Sequence, residues 1–401
     1  MNKLVDLPLD AVERIREFHP ELREIRHDLH RHPELGFEER YTSDVVAREL
    51  TRLGIEHHRG MGKTGIVATI VGQRHDSGRS VGLRADMDAL PMNEENDFAH
   101  RSTSPGRMHG CGHDGHTTML LGAARYLAAT RKFNGAAYLI FQPGEEGYAG
   151  AKAMMEDGLF ERFPADEVYA LHNWPGLPVG KIGMRPGPTM AAADRVSIHI
   201  EGRGGHGAHP HSAIDPVVVA AHIIVAAQSI VSRGINPIDT AVVSLCHVNA
   251  GNEGAMSVIP REATIVGTVR TFKASTQDFI EKRLGELVTS IATAFGATAT
   301  VEFERVYPAT VNTERETEFA RQVALDLVGE DNVVWNLDPS MGAEDFSFML
   351  QQKPGAYLRL GQGGAESGCF LHNTRYDFND EVIPLGAGLL AALAERAMPL
   401  T

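Results

Sequence analysis

The chain has 401 residues, 43% hydrophobic and 22% charged, which is ample for buried cores and too long for one ordinary domain, so two domains are expected. A net charge of −14 argues against nucleic acid or an anionic membrane surface as a partner. No run reaches the 18 or so consecutive apolar residues of a membrane span. The three cysteines, Cys111, Cys246 and Cys369, are far apart and odd in number, which argues against a disulfide framework.

The opening stretch, MNKLVDLPLDAVERIREFHPELREIRHDLHRHPE, carries acids where a signal peptide would carry an apolar core. It reads as an amphipathic opening helix, and a cytoplasmic location is expected. GIVATIVG and SVGLRADMDAL are the early strand candidates, and TTMLLGAARYLAAT is a helix directly after a cluster of histidines. AAYLIFQPGEEGYAGAKAMMEDG follows as strand, loop and helix, and EVYALHNWP as a strand with a polar tip. Apolar runs alternating with helical patterns imply an α/β sheet flanked by helices, in which ligands gather where strands end.

Near Pro186 the pattern changes. VSIHIEG, DPVVVAAHIIVAAQSIV, AVVSLCHVNAG, REATIVGTVRTF, TQDFIEKRLGELVTSIATAFG and TATVEFERVYP give the order βαββαβ, the ferredoxin-like split βαβ unit. The expected organisation is therefore a discontinuous α/β domain, 1–186 with 309–401, and an insertion at 187–308. The Gly/Pro-rich GMRPGP marks a hinge, and PLGAGLLAALAERAM is the closing helix.

Chemistry concentrates at the strand ends. In MHGCGHDGHT, Cys111 and His113 share a glycine-rich turn that suits a borderline divalent metal, a reactive thiol with its base, or plain polar residues in a turn. In FQPGEEG, the adjacent Glu145 and Glu146 point in different directions, so one can hold a metal while its neighbour faces a bound water; a solvated acidic turn is the plainer reading. His172 and His372 each end an apolar strand.

Taken together, HPELGFEE, GLRADMDALPM, MHGCGHDGHT, FQPGEEG, LHNWPGLPVG, GPTMAAAD, GRGGHGAHPH and GAEDFSFML resemble the M20 family of metallopeptidases and amidohydrolases, in the branch of aminoacylases, hippurate hydrolases and indole-acetyl-amino acid hydrolases. The resemblance implies a zinc-peptidase-like catalytic domain and an inserted ferredoxin-like lid that also mediates dimerisation. It implies two divalent ions per chain, zinc or manganese first and cobalt or nickel as alternatives, with Cys111 shared, His113 and His172 on one ion, and Glu146 and His372 on the other. Glu145 is then the general base, taking a proton from a metal-activated water and delivering one to the departing amine. His206 of the lid polarises the scissile carbonyl, within its own subunit or across a dimer. Asn249 and Arg270 hold the substrate, and Asp88 and Glu344 support ligands from behind, Glu344 behind His372. Two departures from the family pattern stand out: Ser257 replaces a common Asn, and Gly110 a frequent Ala.

The expected activity is hydrolysis of small N-acyl amino acids, with a dipeptidase or other small-peptide metallopeptidase as the alternative within the family. A thiol hydrolase built on Cys111 with His113 or His116 would leave Glu145, Glu146, His172 and His372 without roles. A non-catalytic metal-binding protein would have no use for Glu145.

Overall fold

The computed structural model describes residues 9–364 and 370–400, so Cys369 lies outside the described residues. Contacts divide the chain into two compact units: 1–189 with 310–338 and 345–401, and 190–309 with 339–344.

The first unit is built on an eight-stranded mixed sheet. Its order is Glu56–Met61, Gly65–Val71, Ala136–Gln142, Ser80–Asp86, Glu167–Pro175, Gly355–Gly363, Ile182–Met184, Val333–Trp335. The four central strands, from Ala136–Gln142 to Gly355–Gly363, run parallel. Ser80–Asp86 is buried at every position, as expected of a strand covered on both faces. Parallel neighbours finish at the same edge, and the turns leaving Asp86, Gln142 and Pro175 therefore open together.

Helices His113–Thr130 and Ile383–Ala397 pack on this sheet and on each other. Their contact depends on small residues: a Cβ on Gly386 would sit 2.0 Å from Met119 Sδ. The opening segment is two helices, Leu9–Arg16 and His19–Arg31, and not one. Pro20 explains the break, because its ring suits the first turn of a helix and not the interior.

The second unit has a four-stranded antiparallel sheet in the order Ala241–Ala250, Glu262–Thr271, Ala192–Glu201, Thr298–Tyr307. With helices Pro216–Ser229 and Ala274–Ala294 between strands, the chain order is βαββαβ, as the hydrophobic pattern predicts. The membrane reading needs one correction. Pro216–Gly234 is long and apolar enough by length and composition to cross a membrane. Scanning for unbroken apolar runs passes over it because His222 and Gln228 interrupt the pattern. Val219, Ala220, Ile223 and Ala227 are buried in one cluster with sheet residues Val196, Ile198 and Ile265, so one face of this helix packs on the small sheet. Its outer residues Val217, Val218 and Val225 are exposed.

Leu358, fully buried at the centre of the large sheet, tests how tightly this core is packed. Leu358→Ala is expected to lower unfolding free energy by about 2–5 kcal/mol in urea denaturation, whereas Ile238→Ala, on an exposed turn, should change it by less than about 0.5 kcal/mol.

Candidate active site and metal centre

The four turns at the open edge of the large sheet carry the candidate donors. Cys111 precedes the helix that His113 begins, after Gly112 in a left-handed conformation at φ 92°. A side chain at Gly112 would collide with Asn173 and Tyr376, so this turn needs glycine. His172 stands on the strand Glu167–Pro175. Glu145 and Glu146 follow Gln142 in a tight turn in which Glu146 has a non-helical backbone, φ −73° and ψ 69°, and a carboxylate oxygen of each lies within 4.8 Å of the other and of a His113 ring nitrogen. His372 adopts φ 62°, and its backbone N–H donates to the Gly110 carbonyl at 2.8 Å, which ties it to the Cys111 turn.

These residues converge. Cys111, His113 and His172 place their donor atoms within 4.8 Å of one another, and so do Cys111, Glu146 and His372. Cys111 thus belongs to both groups. Its Sγ lies 3.5 Å from His172 Nε2, and His372 Nε2 lies 3.2 Å from Glu146 Oε1. The buried Nε2 of His113 has no hydrogen-bond partner. One thiol, three imidazoles and a carboxylate suit a borderline divalent metal, and an unsatisfied buried ring nitrogen is what a ligand would satisfy. Glu145 is buried, receives the Asp345 backbone N–H at 3.4 Å, and shares a third group of close donors with His113 and Glu146.

Groups behind the donors fix their orientation. Asp88 accepts from His113 Nδ1 at 3.2 Å and from the Glu146 backbone N–H at 2.9 Å, so it directs Nε2 of His113 toward the cluster. His172 Nδ1 donates to the Asn173 carbonyl at 2.7 Å, which leaves Nε2 with its lone pair facing Cys111. Asp345 collects Gln142, Arg84 and the Ala151 backbone N–H, and Asp86 joins Arg84 to His116. Asp345, Arg84 and Asn173 were not singled out in the sequence, although Asp345 stands beside Glu344 in GAEDF. Glu344 itself is buried.

Electrostatics separate the donors. Burial, then Glu146 and Glu145, pushes the Cys111 thiol well above its ordinary range. His116 is engaged on both ring nitrogens by Asp86 and Asn173. Neither property suits an activated thiol nucleophile with its base. Burial works against a charge on His113, but Asp86 and Asp88 outweigh it and hold the imidazolium up to about 10. Burial, joined by the neighbouring His116, pushes His172 well below its ordinary value and keeps it neutral.

The second unit carries the remaining expected residues. His206 is exposed on a short strand paired with Val258–Ile259, and its Nδ1 accepts from the Ala208 backbone N–H at 3.0 Å, leaving the proton on Nε2. Ser257 lies in the adjoining turn, its carbonyl accepting from Gly207. Arg270 and Asn249 are not brought together. Arg270 faces Val242 and Asn249 faces Thr264, which, with the bulge between Leu245 and His247, sets them six positions apart along the strand pair, roughly 20 Å at about 3.3 Å per residue. Asp194 is the charged neighbour that supports Arg270, against burial that lowers it.

Residues 82–396 match the peptidase family M20/M25/M40. The chain is 42% identical to a hippurate hydrolase of Campylobacter jejuni, over 96% of this chain and 99% of that protein. It is 40% identical to an IAA-amino acid hydrolase of Arabidopsis thaliana, over 93% of this chain and 84% of that one. Among solved structures it resembles a dinuclear metal-binding peptidase from the M20 family of Bacillus subtilis, with a TM-score of 0.83 and 33% identity over 96% and 99% of the two chains.

A buried ion network lies directly behind the Cys111 turn. His30 bonds Asp114 at 2.8 Å and Glu94 at 3.2 Å, and Arg26 joins Asp114, Asp377 and Asp380. Burial disfavours charge on His30, but the bonds from Asp114 and Glu94 hold it up to about 9. A raised histidine stabilises the fold fully below its ordinary value of 6.5 and loses that contribution as pH climbs through about 9. The stability gap between the native chain and His30→Gln should therefore be wide near about pH 6 and narrow near about pH 9.5 in urea denaturation; an unchanged gap refutes the ion pair.

Proposed function

The chain belongs to the peptidase family M20/M25/M40, and from that membership and the site geometry we propose a metal-dependent amidohydrolase that cleaves N-acyl amino acids to a carboxylic acid and a free amino acid. The observation that carries this reading is the double membership of Cys111 in two groups of close donors, with Glu145 beside both His113 and Glu146. The names of relatives at 42% and 40% identity support the substrate class.

In this reading Cys111, His113 and His172 would hold one divalent ion, and Cys111, Glu146 and His372 would hold a second. Zinc or manganese suits this mixture of sulfur, nitrogen and oxygen, and cobalt or nickel is accepted by the same donors. Such ions, when bound, would lower the pKa of a water toward about 7 and polarise a carbonyl. Loading would displace the proton that Asp86 and Asp88 hold on His113.

Glu145 then removes a proton from the attacking water as its oxygen bonds to the acyl carbon. As the carbon–nitrogen bond breaks, Glu145 delivers a proton to the nitrogen. His206 keeps Nε2–H free as a donor for the acyl oxygen, the role of an oxyanion donor, within its subunit or across a dimer. Arg270 and Asn249 are too far apart to grip one small substrate in the same chain. Of the two, Arg270 has the guanidinium that pairs a carboxylate in two-pronged fashion. The family's peptidases support a second reading, cleavage of unblocked dipeptides, and a panel containing hippurate, N-acetyl amino acids and dipeptides separates them.

We also assign dimerisation to the inserted unit. Ala241–Ala250 is an edge strand of its sheet, and Val217, Val218 and Val225 leave an apolar helix face open nearby in the same unit. A dimer in light scattering that dissociates in Val225→Glu supports this; a monomeric native chain refutes it.

Three variants test the mechanism when metal content and turnover are measured together, with and without added metal. Glu145→Gln should retain metal and lose roughly 10²- to 10⁴-fold in kcat, the range for general acid–base catalysis. Glu146→Gln should lose metal and recover part of its activity when metal is added in excess. His206→Ala should keep its metal and lose roughly 10²-fold in kcat. Metal loss in Glu145→Gln with retention in Glu146→Gln reverses the assignment, and near-normal turnover in both refutes the mechanism.

A further inference from the structure

The segment HPELGFEE has no role in the chemistry above, yet its last residue reaches the catalytic turn. Glu39 is fully buried. One carboxylate oxygen accepts the Gly144 backbone N–H at 2.8 Å, and the other accepts the Thr64 hydroxyl at 2.5 Å. Its own carbonyl accepts from Ser43 and begins the helix Arg40–Arg52. Glu39 therefore links a helix start, the turn between the edge strand Glu56–Met61 and its neighbour Gly65–Val71, and the residue just before Glu145.

The turn it holds is strained. Gly144, Gly147 and Ala149 all take left-handed conformations, at φ 57°, 86° and 55°, and Glu146 departs from helical geometry between them. Ala149 pays a steric penalty there that glycine does not. Such backbone persists only where its surroundings over-determine it. Here the restraints are buried acceptors: the Gly144 N–H goes to Glu39, the Glu146 N–H to Asp88, and the Ala151 N–H to Asp345. Asp88 also takes His113, and Asp345 also takes Gln142 and Arg84, so each of those serves several groups at once. Among the described residues, Glu39 belongs to none of the donor groups close enough to share an ion.

We propose that Glu39 is a positioning residue for hydrolysis: by holding the Gly144 N–H it fixes the strained turn that presents Glu145 and Glu146 to His113. The assignment rests on the hydrolase reading for its effect on turnover, but its effect on the turn is independent of any activity. Burial pushes the Glu39 carboxyl up to about 7, against the bonds from Thr64 and Gly144. An oxygen acceptor for Gly144 is present in either protonation state, so glutamine is the conservative replacement.

The test uses the full, metal-loaded chain with Glu39→Ala, Glu39→Gln and Thr64→Val. Amide hydrogen exchange is followed in the peptide covering 142 to 151, alongside metal content, kcat and KM in excess metal. Glu39→Ala should exchange roughly 10-fold faster across that peptide and lose roughly 10- to 100-fold in kcat, with KM within about twofold, as expected when a catalytic group is misplaced. Glu39→Gln should restore the protection and most of the kcat. Native-like exchange in Glu39→Ala, or a Gln variant as impaired as Ala, overturns the proposal. If Glu39→Ala does not fold, Thr64→Val decides: faster exchange supports the link, and unchanged exchange overturns it. The two readings fail separately. Full turnover in Glu145→Gln removes the hydrolase mechanism while exchange still judges Glu39; an inactive Glu145→Gln beside a native-like Glu39→Ala removes Glu39 alone.

Discussion

The structure depends on crowding acidic groups at the open edge of one sheet. Cys111, Glu145, Glu146, Asp86 and Asp88 all lie in or beside a buried cluster, with Arg84 and a few imidazoles as the nearby positive charge. Removing such groups from water is costly unless cations balance them. His113 is held as an imidazolium, and Arg84 is clamped by Asp86 and Asp345. Divalent ions supply the same balance with directional bonds, which is why a site of this composition reads as a metal centre before any comparison is made.

Holding that cluster in place falls to the fold's most rigid parts. Four parallel strands bring Asp86, Gln142 and His172 to one edge, and two closely packed helices secure the Cys111 turn from behind. The turn carrying Glu145 and Glu146 has little regular structure, so its backbone donors are satisfied by side chains from three distant segments, Glu39, Asp88 and Asp345. Carboxylates serve here as scaffold as well as candidate donors, and only their partners tell them apart.

Much of this was legible in the sequence because it is local. The βαββαβ order follows from hydrophobic periodicity, and the donors at 111, 113, 145, 146, 172 and 372 stood out as polar residues at the ends of apolar runs. What escaped was long-range. Asp345 meets Gln142 across a sequence separation of 203, and Glu39 meets Gly144 across 105, pairings for which no spacing rule exists. Arg270 and Asn249 both looked like substrate groups on lid strands, but antiparallel register places them at opposite ends. The helix Pro216–Gly234 was passed over as a span because polar residues interrupt its apolar pattern, although one face of it is buried in a core.

X-ray absorption at the metal edge of the loaded protein tests the central claim, a thiolate shared by two ions, most directly. The account predicts sulfur in the first shell at about 2.3 Å for zinc, nitrogen and oxygen near about 2.0–2.1 Å, and a metal–metal vector of about 3.5–4 Å. A first shell of nitrogen and oxygen alone, or sulfur without a second metal, would contradict it.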